Sequence, residues 1–372
     1  MRFKLSSTAL SNKLSALARV INPKNSLPIL GDFVFQTEGT SLKLTASDGE
    51  NTVVTKVELA ESESDGSFAI DSSTILDAVK SLAEQPITFN LTGGKLIISY
   101  QNGQFTLPID NYEDYPTVSD ITGEYSSVTM KSSVLAENIG RSVFATAQDT
   151  LRPVMSGIYF DLTPENLSIV ASDGHKLVRT KVFGLSSDTP KSFVLPKKPS
   201  MILGSMLEKD ESDVQIIFSD AKAQIHFNDT VLTCSLIEGK YPNYNTVIPQ
   251  NNNNEIVVDR HAMLSAIKRV VPFSNSASNL IRFRIDNGTI TLDAEDIDFS
   301  RSATEKLNCD YDGIPMSIGF KGTAFADVLS NFSCDYVLIK LADSSRAGLV
   351  LPAEQPEGQE VLMLIMPMLI SE

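Results

Sequence analysis

Several residue types on which catalytic and metal chemistry depend are scarce in this chain. Its 372 residues hold no tryptophan, three histidines and three cysteines. His175, His226 and His261 show no HxxxH spacing, and Cys234, Cys309 and Cys334 show no CxxC spacing. Neither a zinc site nor a disulfide framework is expected from them. Reduced thiols point instead to a cytoplasmic protein. The sequence has no GxxxxGK[ST] and no GxGxxG, which removes the usual phosphate- and dinucleotide-binding loops. Apolar runs are short as well: the longest candidate, residues 361–370, is interrupted by Pro367 and cannot span a bilayer as a helix. We therefore expect no metal, no cofactor and no membrane partner. Positive charge is also in deficit, with 31 Lys and Arg against 46 Asp and Glu and a net charge of −15. Such a balance excludes indiscriminate adsorption to nucleic acid but leaves room for a sheltered basic face.

What the chain does have is repetition. Its length suits two or three domains rather than one core. Leu10, Leu14, Leu17, Ala18 and Ile21 recur at helical spacing, and Ser11, Asn12, Lys13, Ser15 and Arg19 form the opposite face without a carboxylate. A second copy runs Leu135, Ile139, Val143, with Lys131 and Arg141 on its polar side. A third runs Met263, Ile267, Val270, Val271, with Arg260, Lys268 and Arg269. After each helix comes an alternating strand closed by a turn: Leu42, Leu44, Ala46 before Ser47-Asp48-Gly49; Leu167, Ile169, Ala171 before Ser172-Asp173-Gly174; Ile290, Leu292, Ala294 before Glu295-Asp296. A second helix then recurs at the same offset, with Ile75, Val79 and Leu82 matched by Phe325, Val328, Leu329 and Phe332; in the middle copy Pro199 stands in a first helical turn. Asn102-Gly103 between alternating runs marks a hairpin.

The pattern predicts an α+β protein of three repeated modules, each with two helices against antiparallel sheets, over residues 1–123, 124–250 and 251–372. Two chains joined head to tail would close a ring of six modules. Twelve helices packed ~10 Å apart around a hole give a circumference of ~120 Å and a diameter of ~38 Å. Helix radii of ~5 Å on each side leave ~28 Å, enough for duplex DNA and a layer of water. Basic residues outnumber acidic ones along the helical stretches while the rest of the chain is strongly acidic, so a lining that attracts phosphates without reading sequence is the better account of them.

Four stretches carry a resemblance that covers essentially the whole chain. They are Leu27-Pro28-Ile29-Leu30, Ser172-Asp173-Gly174-His175-Lys176-Leu177, Gly239-Lys240-Tyr241-Pro242-Asn243-Tyr244 and Met366-Pro367-Met368-Leu369-Ile370. With the threefold repeat, the chain resembles the bacterial DNA polymerase III beta subunit family, the replicative sliding clamps. The resemblance implies a ring-shaped homodimer around duplex DNA, bound without regard to sequence. It also implies a hydrophobic cleft where the replicative polymerase, the clamp loader and other proteins compete through short clamp-binding peptide motifs. Carried over by residue, that cleft comprises Met155, Ser172, Gly174, His175, Lys176 and Leu177, with Pro242, Val247, Leu364, Met366, Pro367 and Met368. Methionine and aliphatic side chains suit such a role because they repack around different peptides. The DNA-facing positions that match are Lys24, Gln148, Arg152, Lys197 and Lys198. The contact between protomers falls on Gln104, Leu107, Pro108, Ile109, Pro272 and Phe273. The chain departs from the family pattern where Pro153 and Val154 replace aromatic residues, and where Gln104 replaces a basic one.

An enzyme is the rival class. Ser172, Asp173 and His175 are triad residue types, but neighbours in one turn rarely supply triad geometry. Ser-Asp-Gly also recurs at Ser47 to Gly49 with no histidine after it, as a structural turn would. A second rival is a monomeric three-module scaffold that binds peptides and never encircles DNA.

Overall fold

The computed structural model describes residues 1–116, 120–148, 151–207 and 211–370. Among these residues six α-helices recur in pairs: α1 Ser7–Leu17, α2 Ser72–Lys80, α3 Ser132–Val143, α4 Lys197–Leu207, α5 Arg260–Val270 and α6 Gly322–Ser330. Each begins where a strand ends, and the last strand residue often caps the helix. Ser6 accepts from the Ala9 N–H (3.1 Å), Asp71 from Thr74 (2.8 Å) and Asp259 from Ala262 (2.7 Å), satisfying donors that the first turn leaves open. Three apolar residues of α1, Leu10, Leu14 and Leu17, are fully buried, as are Ile75 of α2 and Phe325 of α6. The faces set out by the sequence spacing are the faces that pack.

The chain folds into two compact units, Met1–Ala136 with Ile202–Leu236, and Glu137–Met201 with Ile237–Glu372. In the first, a five-stranded antiparallel sheet runs in the order Glu61–Ser62, Arg2–Ser6, Pro86–Thr92, Lys95–Tyr100, Gly103–Pro108. Beside it an eight-stranded sheet joins Ser126–Lys131, Asp213–Phe218, Lys222–Phe227 and Thr230–Ser235 to Asn51–Glu58, Ser41–Ser47, Asp32–Glu38 and Gly66–Asp71. The second unit repeats this plan. Its eight strands are Lys191–Pro196, Gly157–Leu162, Asn166–Ser172, Lys176–Phe183, Gln359–Ile365, Gly348–Pro352, Tyr336–Leu341 and Asn254–Asp259. A four-stranded sheet orders Arg301–Asn308, Thr289–Asp296, Leu280–Asp286 and Met316–Lys321. The division between units runs through the middle repeat for a physical reason. One of its strands, Thr230–Ser235, continues the ladder of Asn51–Glu58, and another, Lys176–Phe183, continues that of Gln359–Ile365. Aromatic pairs fill the cores: Phe3 stacks on Phe89 and Phe35 on Phe68 in one unit, and Phe283 meets Phe320 edge-on and Phe325 at a tilt in the other.

Four sequence expectations need correction. Helix α1 stops at Leu17, where the Arg19 and Val20 N–H groups turn back to Ala16 and Leu17, so Ile21 lies outside it and Val20 is the buried residue. Arg141 is not on an exposed polar face but 4 % exposed, held by Glu137 and the Asn138 side chain. Arg260 is 7 % exposed for a reason that the repeat explains. The first residue of the lead helix ties back to the turn before the next strand: Ser7 through its hydroxyl to the Ala83 carbonyl, Ser132 to Ser212. In the third copy Arg260 takes that place, its guanidinium donating to the Cys334 and Leu329 carbonyls. The predicted hairpin also forms one residue early, with Gln101-Asn102 as its turn and Gly103 opening the next strand.

Each repeat ends in a backbone clasp. In the third, the Met368 N–H donates to the Gly319 carbonyl at 2.8 Å. A Cβ on Gly319 would lie 2.7 Å from the Met368 carbonyl oxygen and 2.9 Å from Leu280 Cδ1. Gly319→Ala is therefore expected to lower stability by roughly 1–3 kcal/mol and to raise hydrogen exchange at the Met368 amide. Urea unfolding together with exchange at that amide checks both.

Candidate functional site

The second unit carries the residues that the sequence comparison brings together as a cleft. Its floor is set by strand register. Ser172 pairs with Leu177 and Leu177 with Leu364, which places the three in line across neighbouring strands. Met155, Leu177 and Leu364 are buried in one apolar cluster with Val170, Leu349 and Leu362. Tyr241 and Tyr244 complete that cluster: Tyr159 stacks on Tyr241 at 4.6 Å, and the Tyr244 hydroxyl donates to Asp161 at 2.9 Å. In the sequence Tyr241 and Tyr244 stand out only as part of the resemblance. Their supporting role follows from the alternating apolar pattern of the strands beneath them.

The turn at the cleft's end is built by one carboxylate. Asp173 Oδ1 accepts from the His175 N–H (2.8 Å) and the Lys176 N–H (2.9 Å), and its Oδ2 receives Lys176 Nζ (2.6 Å). Burial alone would raise the Asp173 carboxyl, but these hydrogen bonds and the Lys176 charge hold it below its ordinary value. Ser172 Oγ donates to the Lys176 carbonyl and accepts from the Gly174 N–H, so neither group is arranged as a nucleophile with a base. The first repeat makes the same turn: Ser47 Oγ donates to Asn51, and Asp48 accepts from the Glu50 and Asn51 N–H groups. Gly49 and Gly174 sit at φ +94° and +90° in these turns. At Gly174 a Cβ would also lie 2.7 Å from Arg152 Nη1, and Arg152 Nη2 donates to the Asp173 carbonyl at 3.0 Å.

The rim is apolar and accessible. Val247 is 55 % and Met366 43 % exposed; Gly174, His175 and Pro242 are exposed, and Lys176, Pro367 and Met368 are half-buried. Two anchors hold the tail: the Met366 N–H donates to the His175 carbonyl, and the Met368 N–H to Gly319. Met368 thus lies against the four-stranded sheet, outside the apolar cluster that contains Leu177 and Leu364. An apolar buried floor, exposed methionine and valine, and few charges suit a short peptide with bulky apolar side chains.

Of the positions expected to face DNA, Arg152 also meets the turn at Asp173 and Gly174. Lys24 and Gln148 are exposed, as is Arg152. Lys197 and Lys198 stand half-buried in the first turn of α4, where the helix dipole disfavours cations. No described α-helix has an acidic residue in its first turn. Carboxylates reach some of these N-termini from outside the first turn: Asp71 caps α2, Asp259 caps α5, and Glu84 accepts from the Thr8 N–H of α1. Other basic residues are engaged: Lys131 with Asp213 at 2.8 Å in the first unit and Arg269 with Glu305 in the second.

The strands Gly103–Pro108 and Arg301–Asn308 are the outer members of their sheets. Gln104 and Pro108 are exposed, Leu107 and Ile109 half-buried, and Pro272 and Phe273 exposed at the end of α5. Arg301 is paired with Asp296 (3.0 Å) and Arg284 with Asp293 (2.6 Å), so much of the charge along the Arg301–Asn308 edge is satisfied within the chain.

Comparison with known proteins covers the chain in three consecutive pieces. The family models for the N-terminal, central and C-terminal domains of the DNA polymerase III beta subunit match residues 1–119, 129–243 and 245–369. The beta sliding clamp of Pseudomonas putida is 27% identical over 365 residues, covering 98% of this chain and 99% of that protein. That of Escherichia coli K12 is 25% identical over 369 residues, 99% of this chain and 100% of its own. A crystal structure of the Pseudomonas aeruginosa DnaN sliding clamp bound to griselimycin superposes with a TM-score of 0.94 at 27% identity, covering 100% of both chains.

Proposed function

The chain belongs to the DNA polymerase III beta subunit family, whose members are processivity clamps rather than enzymes, and on that premise we propose that two copies close a ring around duplex DNA and tether the replicative polymerase to it. One observation carries the ring. Two joints between successive repeats are strand ladders within the chain, Thr230–Ser235 on Asn51–Glu58 and Gln359–Ile365 on Lys176–Phe183. The equivalent strands at the remaining joint, Gly103–Pro108 and Arg301–Asn308, end their sheets unpaired. A head-to-tail homodimer pairs them twice, so that neither of these two strands is left open. Leu107, Ile109, Pro272 and Phe273 supply apolar contact there, and Gln104 adds no charge.

The modules of this reading span residues 1–123, 124–250 and 251–372. Lys24, Gln148, Arg152, Lys197 and Lys198 line the DNA path and contact phosphates without reading bases. The cleft from Met155 to Met368 receives clamp-binding peptides of the polymerase, the clamp loader and other proteins in turn, in the cytoplasm. No helix among the described residues is long and apolar enough to cross a membrane.

The Lys197→Glu, Lys198→Glu double variant tests the division of labour. Retention on DNA at low salt should fall about tenfold or more, because two phosphate contacts become repulsive. Affinity for a clamp-binding peptide should stay unchanged. Equal loss of both functions would contradict separate DNA and peptide surfaces.

A further inference from the structure

The three clasps that end the repeats share a backbone pattern and differ in what their side chains meet. In the first repeat the Asp110 N–H donates to the Ala69 carbonyl (2.8 Å) and the Ala69 N–H to Asp110 (3.1 Å). In the second the Ile237 N–H donates to Val194 (3.1 Å). The strand beside each clasp opens at equivalent positions, Asp32 opposite Asp71 and Gly157 opposite Pro196. In the second repeat Ile237 covers a glycine: a Cβ on Gly157 would lie 2.9 Å from Ile237 Cδ1. The first repeat has acids at the two equivalent positions, Asp110 for Ile237 and Asp32 for Gly157. Asp32 is only 6 % exposed, and its Oδ2 is buried without a hydrogen-bond partner.

The other groups around it offer no cation. Asp71, on the paired strand, accepts hydrogen bonds from Thr74 and Ser73. Tyr115 packs with Leu30, Val34 and Ala69, and its phenol is pushed up by burial, with Asp32 and Asp48 adding to the effect. We propose that the buried Asp32 carboxyl keeps its proton in the closed clasp, and that losing it frees the segment leaving the Gly103–Pro108 strand. Burial, then the charge and hydrogen bond of Asp110, then Asp71, push the Asp32 carboxyl up to about 7. A carboxyl raised on closing holds its proton more tightly closed than open. Closure is therefore favoured at low pH and weakens as pH rises from the ordinary carboxylate range through about 7. The freed segment leaves the strand to which the second copy is proposed to add, so ring closure would weaken with it. That last step alone rests on the clamp reading.

Hydrogen exchange at the Ala69 and Asp110 amides of the full chain, corrected for intrinsic rates, tests the clasp directly. Protection should be about tenfold lower at pH 8 than at pH 6, whatever the oligomeric state. Asp32→Asn keeps the shape and removes the titration, so its protection should not change between the two values. Asp110→Asn removes one contributor and leaves the burial, so its fall should be smaller than tenfold, and it serves if Asp32→Asn does not fold. A flat profile in the unsubstituted chain, or a variant that keeps the tenfold fall, overturns the proposal.

Discussion

A Val247→Asp chain should lose at least ~100-fold in affinity for a clamp-binding peptide while its stability stays within ~0.5 kcal/mol. Val247 stands 55 % exposed at the end of a short helical turn, so aspartate there is solvated in the free protein. When a peptide lays an apolar side chain over Leu177 and Leu364, the carboxylate must be desolvated. The cations at the neighbouring turn are engaged: Lys176 is committed to Asp173, and Arg152 to the Asp173 carbonyl. The penalty of ~3 kcal/mol or more falls on the complex alone, which is how binding can be lost without unfolding. Fluorescence anisotropy with a labelled peptide, beside a urea melt, measures both. Unchanged affinity would remove Val247 from the cleft.

The second large effect concerns the edge. Thr106→Pro should raise the dimer dissociation constant ~10–100-fold and leave the monomer folded. Pro108 stands opposite Lys95 in the ladder and has no N–H. Proline is tolerated in a strand only where its N–H would face an open edge, and alternate residues share that orientation. Gln104 and Thr106 therefore direct their N–H groups outward. The joint within the first unit behaves the same way, with the Ser235 N–H donating to the Glu50 carbonyl of the adjoining repeat. A proline at 106 deletes one such donor and puts a ring where the partner strand must lie, yet spares the bonds to Lys95–Tyr100. Sedimentation over a concentration series reads the dissociation constant. An unaltered constant would place the protomer contact elsewhere.

Much of this architecture could be read from residue spacing because the repeats impose the same local physics three times. Leu10, Leu135 and Met263 recur on one face because each lead helix must bury a stripe against its sheets. Ser47-Asp48-Gly49 and Ser172-Asp173-Gly174 recur because one aspartate satisfies two N–H groups while a glycine takes a positive φ. The reading failed where one residue took over another's job. Arg141 and Arg260 have the composition of a solvated basic face, but their guanidinium groups are bound inside, the second in place of a serine hydroxyl. Long-range pairing was equally hidden. No local pattern says that Thr230–Ser235 ladders onto Asn51–Glu58, because the partners lie far apart in sequence and alternation specifies a face but not a neighbour. The cleft was legible only through its resemblance. Met155, Leu177 and Leu364 have the spacing of ordinary core residues, and they are core; accessibility comes from Val247 and Met366 beside them.

The central claim is that two chains close a ring, and images of the purified protein in negative stain at micromolar concentration test it most directly. The account predicts closed rings of two chains, with a central opening wide enough for duplex DNA. Compact particles without an opening, at every concentration tried, would contradict it.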